Sequence, residues 1–170
     1  MTHVQFPNLE TPPSGMLQIG LVSDTHRLLR PQACAALAGV DAILHAGDVG
    51  SADVIESLAS IAPTFAIRGN IDSAPWAGTL PDTASVKLGA ADVYMLHDLK
   101  TLTFDPRAAG YAMVMSGHSH MPRITEHDGV LYVNPGSIGP RRFKLPISMA
   151  RLEVDAAGLH PRLIELEISR

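Results

Sequence analysis

Short apolar runs alternate with polar loops along the first half of the chain. Runs such as MLQIGLVS have the length and composition of strands that are buried on both faces. Helical patterns separate the runs, the first with Pro31 near its start and Gly39 after its end, the second capped by Ser51. This order favours parallel strands with helical crossovers. The predicted strands span residues 16–23, 41–46 and 64–68, and the predicted helices span 31–38 and the segment after Ser51.

The second half of the chain is predicted to be a succession of short strands joined by turns. The turn-forming sequences GA at 89–90 and HDG at 127–129 favour a more antiparallel arrangement than in the first half. One helix is expected around residues 105–110. The predicted strands span residues 84–88, 92–96, 112–116, 123–126, 130–133, 147–154 and 162–168. The two halves together predict an α/β fold with two packed sheets.

Length and composition predict one globular domain. The chain has 170 residues, of which 46% are hydrophobic and 18% charged, so a hydrophobic core can form. Residues 1–15 contain three prolines and no long apolar run, and we expect them to form a flexible or surface-strapped tail. A single domain is predicted over residues 16–170. No segment has the length and hydropathy of a membrane span, so a cytoplasmic protein is expected.

Charge and cysteine content exclude some classes of function. The net charge is −4, with acidic and basic residues mixed along the chain. This argues against a broad nucleic-acid-binding surface, although a pocket for one nucleotide remains compatible with it. Cys34 is the single cysteine, so an intramolecular disulfide and a cysteine-based zinc site are both excluded.

Polar residues that can bind metal follow five of the predicted strands. Ligands gather at the carboxyl ends of strands in α/β sheets, so these residues are expected to converge. Carboxylate, amide and imidazole groups together suit manganese, iron, zinc, cobalt or nickel. Seven side chains exceed the needs of one ion, but they can hold two ions if one carboxylate bridges. The candidate metal ligands are Asp24, His26, Asp48, Asn70, His97, His118 and His120.

The order of these motifs resembles the calcineurin-like metallophosphoesterase superfamily, and most closely its small, single-domain prokaryotic phosphodiesterase branch. The resemblance runs from about Leu17 to the carboxyl end. It implies two packed mixed β-sheets flanked by helices, an αββα four-layer sandwich. The motifs that carry it are Asp24-Thr25-His26, Gly47-Asp48, Gly69-Asn70, His97, Gly117-His118-Ser119-His120 and Asn134-Pro135-Gly136-Ser137.

The resemblance also implies roles for these residues. One metal ion would take Asp24, His26 and His120, and the other would take Asn70, His97 and His118. Asp48 would bridge two divalent transition-metal ions, foremost Mn²⁺, with Ni²⁺, Co²⁺, Fe or Zn²⁺ as alternatives, and a metal-bridging hydroxide would attack phosphorus. The predicted catalytic residues are Asp48, Asn70 and Asp72, and the predicted substrate contacts are Asn70, Ser137 and Arg141.

Some of these residues have two interpretations. Asp72 either caps the following segment or orients a histidine ligand as a hydrogen-bond acceptor. The loop from Asn134 to Ser137, with Arg141 after it, is either a turn with a solvated basic side chain or a phosphate-binding loop. The second interpretation is the source of the predicted contacts from Ser137 and Arg141.

Two departures from the family pattern concern the protonation of the leaving group. Ile71 stands where many relatives have a histidine after Gly-Asn, and it cannot transfer a proton. The sequence His97-Asp98-Leu99 also lacks the second histidine of a His-Gly-His motif. We therefore predict a preference for substrates with good leaving groups.

Hydrolysis of a small phosphodiester or nucleotide-like substrate is the leading hypothesis, with a phosphomonoesterase as the alternative enzyme. A non-catalytic scaffold of the same fold is the alternative from another class, since some relatives with degraded metal sites act in trafficking coats. The complete ligand set favours an enzyme. A hydrolase with one metal ion and a homo-oligomer are also compatible with the sequence.

Overall fold

Two mixed β-sheets pack face to face in the computed structural model, which describes residues 1–168. The α-helices are α1 (Pro31–Ala36) and α2 (Ala52–Ala59). The strands are β1 (His3–Gln5), β2 (Leu17–Val22), β3 (Ala42–His45), β4 (Thr64–Ala66), β5 (Thr83–Leu88), β6 (Ala91–Leu96), β7 (Met113–Met115), β8 (Arg123–His127), β9 (Val130–Asn134), β10 (Ser148–Asp155) and β11 (Gly158–Glu165). The five-stranded sheet has the order β11-β10-β2-β3-β4 and the six-stranded sheet the order β1-β5-β6-β7-β9-β8.

The five-stranded sheet contains the predicted crossover units. Strands β2, β3 and β4 are parallel neighbours, and α1 and α2 connect them. Strand β10 returns antiparallel to β2 and pairs with β11 at the edge. The predicted βαβαβ order is therefore confirmed in this sheet.

The six-stranded sheet is less antiparallel than the sequence predicts. The pairs β5–β6 and β8–β9 are antiparallel, whereas β6, β7 and β9 run parallel. The helix expected at 105–110 is wrong, because this segment forms hydrogen-bonded turns that end at Gly110. A segment this short, bounded by Pro106 and Gly110, offers too few hydrogen bonds to sustain a helix.

The main core lies between the sheets, and different elements cover the outer faces of the two sheets. Both α-helices pack on the five-stranded sheet through residues such as Leu37, Ile43 and Leu58. In residues 1–168, no α-helix covers the six-stranded sheet. Aromatic residues cover part of it instead, as Phe104 packs edge-on against Tyr94. The two packed mixed sheets are as predicted, but the flanking α-helices lie on one side only.

The amino-terminal segment is strapped to the six-stranded sheet. Strand β1 pairs in parallel with β5, and the backbone N–H of Phe6 donates to Ser85 O. The Phe6 side chain packs against the main core. Residues 3–5 thus lie as a short strand at the edge of this sheet. Within the described residues, no helix is long and apolar enough to cross a membrane.

Candidate metal centre

Five strand ends from both sheets bring the candidate ligands into two groups. Within each group, one ligand atom from each of three residues lies within 4.8 Å of the others. The carboxyl ends of β2, β3 and β4 supply Asp24, His26, Asp48 and Asn70, and those of β6 and β7 supply the other histidines. The groups are Asp24, His26 and His120, and Asp48, His97 and His118.

The carboxylate of Asp24 has one anchored oxygen and one free oxygen. Its Oδ2 atom accepts hydrogen bonds from the Ser23 hydroxyl at 2.6 Å and from the His118 backbone N–H at 3.0 Å. Its Oδ1 atom faces the Nε2 atoms of three histidines, at 3.3 Å from His120, 3.6 Å from His26 and 3.9 Å from His97. The anchored oxygen fixes the direction in which the free oxygen points.

The carboxylate of Asp48 lies between the two groups. Its Oδ1 atom accepts a hydrogen bond from the Ile71 backbone N–H at 3.1 Å. Its Oδ2 atom lies 3.5 Å from Nε2 of His26 in one group and 3.3 Å from Nε2 of His97 in the other. A single oxygen that faces both groups has the position that a bridging ligand needs.

Three further contacts orient two of the ligand histidines, His97 and His118. The Nδ1 atom of His97 lies 2.8 Å from Ala46 O, so this nitrogen donates to the carbonyl and leaves Nε2 facing the cluster. The ring of His118 lies between Asn70, whose Oδ1 is 3.2 Å from Nδ1, and Asp98, whose Oδ2 is 3.8 Å from Nε2. Asn70 therefore joins the group of Asp48, His97 and His118.

Buried polar atoms at the cluster lack hydrogen-bond partners. An unsatisfied buried donor or acceptor costs about 1–3 kcal/mol, so several in one place need a common explanation. Bound cations would satisfy the carboxylate oxygen and one ring nitrogen of each histidine, and a set of carboxylate, amide and imidazole donors suits divalent transition metals. The donor set thus fits such ions. Within residues 1–168, the unpartnered atoms are Asp24 Oδ1, His26 Nε2, His97 Nε2 and both ring nitrogens of His120.

The electrostatics of the cluster keep its carboxylates ionised. Burial raises the pKa of Asp24, but the facing imidazole rings of His120 and His26 outweigh this effect and hold the pKa well below its usual range. Burial likewise raises the pKa of Asp48, but the neighbouring His97 lowers it by more, so this pKa also lies below its usual value. Burial lowers the pKa of His97, but Asp48 and Asp24 raise it above its usual value. The cluster therefore offers anionic oxygens to a cation.

The ligand loops have an uncommon backbone conformation. A positive φ is rare for residues other than glycine, costs about 1–3 kcal/mol each and concentrates at functional sites. Here the left-handed residues lie two to five positions after the end of a strand, within the loops that form the cluster. The candidate ligands with positive φ are Asp24 (57°), His26 (45°), Asp48 (56°), His118 (71°) and His120 (60°).

Two glycines let the ligand loops approach one another. A Cβ atom on Gly69 would collide with the backbone N and Oδ1 of Asp48. A Cβ atom on Gly117 would collide with the Ser23 hydroxyl and lie 2.6 Å from Asp24 Oδ2. The absence of a side chain at Gly69 and Gly117 thus leaves room for the carboxylates of Asp48 and Asp24.

Asp72 supports the ligand loops and does not orient a histidine. Its buried carboxylate accepts hydrogen bonds from the backbone N–H groups of Val49 at 3.0 Å, Gly50 at 2.9 Å and Gly69 at 2.9 Å. Two of these donors directly follow Asp48, and the third directly precedes Asn70. Both Asp72 oxygens are thus engaged with the backbone, and within residues 1–168 none of the hydrogen bonds of Asp72 reaches an imidazole.

Ser137 and Arg141 also have contacts that differ from the predicted substrate contacts. The buried Ser137 hydroxyl donates to Asp24 O at 2.8 Å and accepts from the Gly139 N–H at 3.2 Å. The Arg141 guanidinium donates to Leu145 O at 3.3 Å within its own loop. Ser137 therefore fixes the Asp24 loop, and the hydrogen bond of Arg141 stabilises the loop that carries it.

A buried histidine connects the β2 and β3 loops. The N–H of Gly47 donates to Nδ1 of His45 at 3.1 Å, so the proton lies on Nε2, which donates to the Thr25 hydroxyl at 3.0 Å. The Thr25 hydroxyl donates in turn to Val49 O at 2.7 Å. Burial, opposed by Asp24, lowers the pKa of His45 to about 4, consistent with this neutral form. His45 is therefore an interior histidine with both ring nitrogens hydrogen-bonded.

The supporting roles of Asn134 and Ser23 are not predicted by the sequence analysis. The Asn134 amide donates to Gly117 O and to the Ser119 hydroxyl, both at 3.0 Å, and so holds the loop that carries His118 and His120. Ser23 directly precedes Asp24, and Asn134 is the first residue of the Asn-Pro-Gly-Ser motif. A position next to or within a recognised motif is the signal that could have indicated these roles.

Comparison with known proteins agrees with this geometry. The profile of the calcineurin-like phosphoesterase superfamily domain matches residues 17–157. A probable metallophosphoesterase of Methanothermobacter thermautotrophicus is 33% identical over 157 residues, covering 86% of this chain and 91% of the relative.

Solved structures share the fold. A novel archaeal phosphodiesterase superposes with a TM-score of 0.74 at 26% identity, covering 88% of this chain and 100% of the other. Vacuolar protein sorting 29 from Cryptosporidium parvum superposes with a TM-score of 0.72 at 20% identity, covering 90% and 99%. The domain profile, the sequence relative and the arrangement of two sheets show that the chain belongs to the calcineurin-like phosphoesterase superfamily.

Proposed function

We propose that this phosphoesterase hydrolyses phosphodiester bonds with two divalent transition-metal ions. The position of Asp48 Oδ2, 3.5 Å from Nε2 of His26 and 3.3 Å from Nε2 of His97, carries the proposal. An oxygen between two ligand groups is the feature that separates a two-ion centre from a one-ion centre. The similar fold of an archaeal phosphodiesterase supports the choice of diesters.

Each side chain of the centre has a distinct part in this proposal. Asp24, His26 and His120 would hold one ion, Asn70, His97 and His118 would hold the other, and Asp48 would serve both. Two carboxylates only partly neutralise two divalent ions, so the site attracts an anionic phosphate. When bound, such ions lower the pKa of water and neutralise charge on phosphoryl oxygens. Manganese is the first choice because it suits mixed oxygen and nitrogen ligands.

The residue after Asn70 limits which substrates react. Ile71 uses its backbone N–H to anchor Asp48, and its side chain is 42% exposed beside the cluster. An aliphatic group cannot protonate a departing oxygen, so the leaving group must be stable as an anion. Aryl esters and other acidic leaving groups should therefore react fastest.

A phosphomonoesterase and a scaffold are the alternatives. A monoester would use the same ions, and the two activities separate in parallel assays on p-nitrophenyl phosphate and bis(p-nitrophenyl) phosphate. The fold shared with vacuolar protein sorting 29 is the reason for considering a scaffold as an alternative. All seven predicted ligands are present and lie together, which favours an enzyme over a scaffold.

The test is activity after removal and return of metal. The stripped protein should be inactive on bis(p-nitrophenyl) phosphate, and Mn²⁺ should restore turnover in the wild type but not in Asp48→Ala. Asp53→Ala, an exposed carboxylate on α2, serves as the matched control and should recover fully. Absence of turnover on both the diester and the monoester with manganese, nickel, cobalt, zinc and magnesium would contradict the proposal.

A further inference from the structure

A cavity of about 750 Å³ adjoins the metal centre. His118 belongs both to a ligand group and to the cavity wall, and Asp98, 3.8 Å from His118, lines the same wall. Pockets for small organic ligands have volumes of roughly 300–1,000 Å³. The space beside the candidate ions is therefore large enough for a nucleotide-sized group.

The floor of this cavity is the outer face of the β8–β9 hairpin. Arg123 and Thr125 alternate along β8 and thus share a face, and β9 places Tyr132 opposite Thr125. Ile124 and Leu131, at the intervening positions, pack toward the main core. No α-helix covers this face in the described part of the chain, so it is open to a ligand.

Two cations line the cavity without a counter-charge. Across residues 1–168, the structure shows no ion pair or side-chain hydrogen bond for Lys100 or Arg123, although both line the cavity. Asp98 is the only carboxylate residue among the lining residues, and it lies beside His118. Unpaired cations next to a phosphate-hydrolysing site favour a ligand with a second anionic group.

The same cavity has apolar and aromatic walls. Leu99 is 41% exposed and Met121 is 52% exposed, and both line it. Tyr132 adds an aromatic side chain to the floor. Exposed apolar side chains beside a polar centre favour a planar organic body over a bare ion.

We propose that this cavity binds a nucleoside substituent of the diester and that Lys100 and Arg123 bind a second phosphate on that substituent. The substrate class is thus phosphodiesters of nucleotides that carry a further phosphate. The inference rests on the proposed function. In the reaction, the water oxygen bonds to phosphorus, and the P–O bond to the other substituent of the diester breaks. That substituent must be an acidic alcohol or phenol, which leaves as a stable oxyanion and takes up a proton released by water.

Equilibrium binding tests this inference separately from turnover. Calorimetry on the manganese-loaded protein compares thymidine 3′,5′-bisphosphate with thymidine 5′-monophosphate. The bisphosphate should bind roughly tenfold or more tightly, as expected for a charge-assisted contact. The double variant Lys100→Gln, Arg123→Gln should bind both ligands with similar affinity, whereas Arg162→Gln, an exposed cation outside the cavity, should keep the preference.

The outcomes separate the two proposals. Equal affinity of the wild type for both ligands, or a preference that survives in the double variant, overturns the assignment of the cavity even when bis(p-nitrophenyl) phosphate is hydrolysed. A preference that disappears only in the double variant supports the assignment, whatever the turnover. Thermal unfolding of each variant verifies that the comparison is made between folded proteins.

Discussion

The Nε2 atom of His120 lies 3.3 Å from the Oδ1 atom of Asp24, and both atoms are buried without a hydrogen-bond partner among the described residues. Burying polar atoms without partners costs free energy, and a metal ion held between these two atoms would remove that cost. Metal binding should therefore stabilise the fold. At a hundredfold excess over its dissociation constant, Mn²⁺ should add about 2.7 kcal/mol and raise Tm by about 5–10 °C. Calorimetry of the stripped and reloaded protein measures the shift. An equal shift in Asp24→Asn would contradict binding at this site.

Leaving-group dependence should report the missing proton donor at Ile71. For a series of aryl phosphodiesters, the logarithm of kcat/KM should fall steeply as the pKa of the leaving phenol rises. Ile71→His places an imidazole at this half-exposed position and should flatten the slope. Ile71→Asn, polar but unable to act as a general acid, is the control. A wild-type slope near zero would show that another group donates the proton.

Asp72 should affect metal affinity and not the chemical step. Its carboxylate accepts three backbone N–H groups beside Asp48 and Asn70, so Asp72→Asn should loosen both loops. We expect manganese affinity to fall roughly tenfold to a hundredfold. Turnover at saturating manganese should stay close to the wild-type value. Unchanged affinity together with a large loss of kcat would instead support the catalytic role predicted from the sequence.

Gly117 should tolerate no side chain. A Cβ atom there would collide with the Ser23 hydroxyl and crowd Asp24, so Gly117→Ala should destabilise the protein by about 1–3 kcal/mol and abolish metal binding. Gly78 has no atom within 4 Å of the corresponding position, which makes Gly78→Ala the matched control. Urea unfolding and manganese titration of the two variants provide the comparison. Manganese binding by Gly117→Ala at wild-type affinity would refute the close packing.

His45 should make the metal-free protein sensitive to mild acid. Its pKa falls from 6.5 to about 4 on burial, so between these values the unfolded chain binds more protons than the folded chain. Stability should be fully present above pH 6.5 and decline toward pH 4, with a loss of about 2 kcal/mol by pH 5. Urea unfolding at pH 7 and pH 5 tests this. His45→Asn, which does not titrate there, should lose less stability over the same interval, and an equal loss would contradict the prediction.

The sequence by itself determined the order of the strands and the positions of candidate metal ligands at their ends. Each apolar run ends at a polar residue, and strand ends in α/β sheets converge, so the pattern alone predicts that Asp24, Asp48 and Asn70 lie at one edge. The family resemblance predicted how the ligands divide between two ions. In the structure the residues of each predicted set lie close together.

Only the tertiary structure decided which polar side chains form hydrogen bonds with the backbone. A carboxylate such as that of Asp72 can bind a metal ion, and a hydroxyl such as that of Ser137 can contact a substrate. In the structure, however, they bind backbone N–H and C=O groups from distant parts of the chain. The cavity beside His118 likewise depends on β8 and β9 lying in a sheet whose outer face has no α-helix within residues 1–168. Hydrophobic periodicity encodes which residues are buried, whereas hydrogen-bond partners and pockets arise from long-range packing.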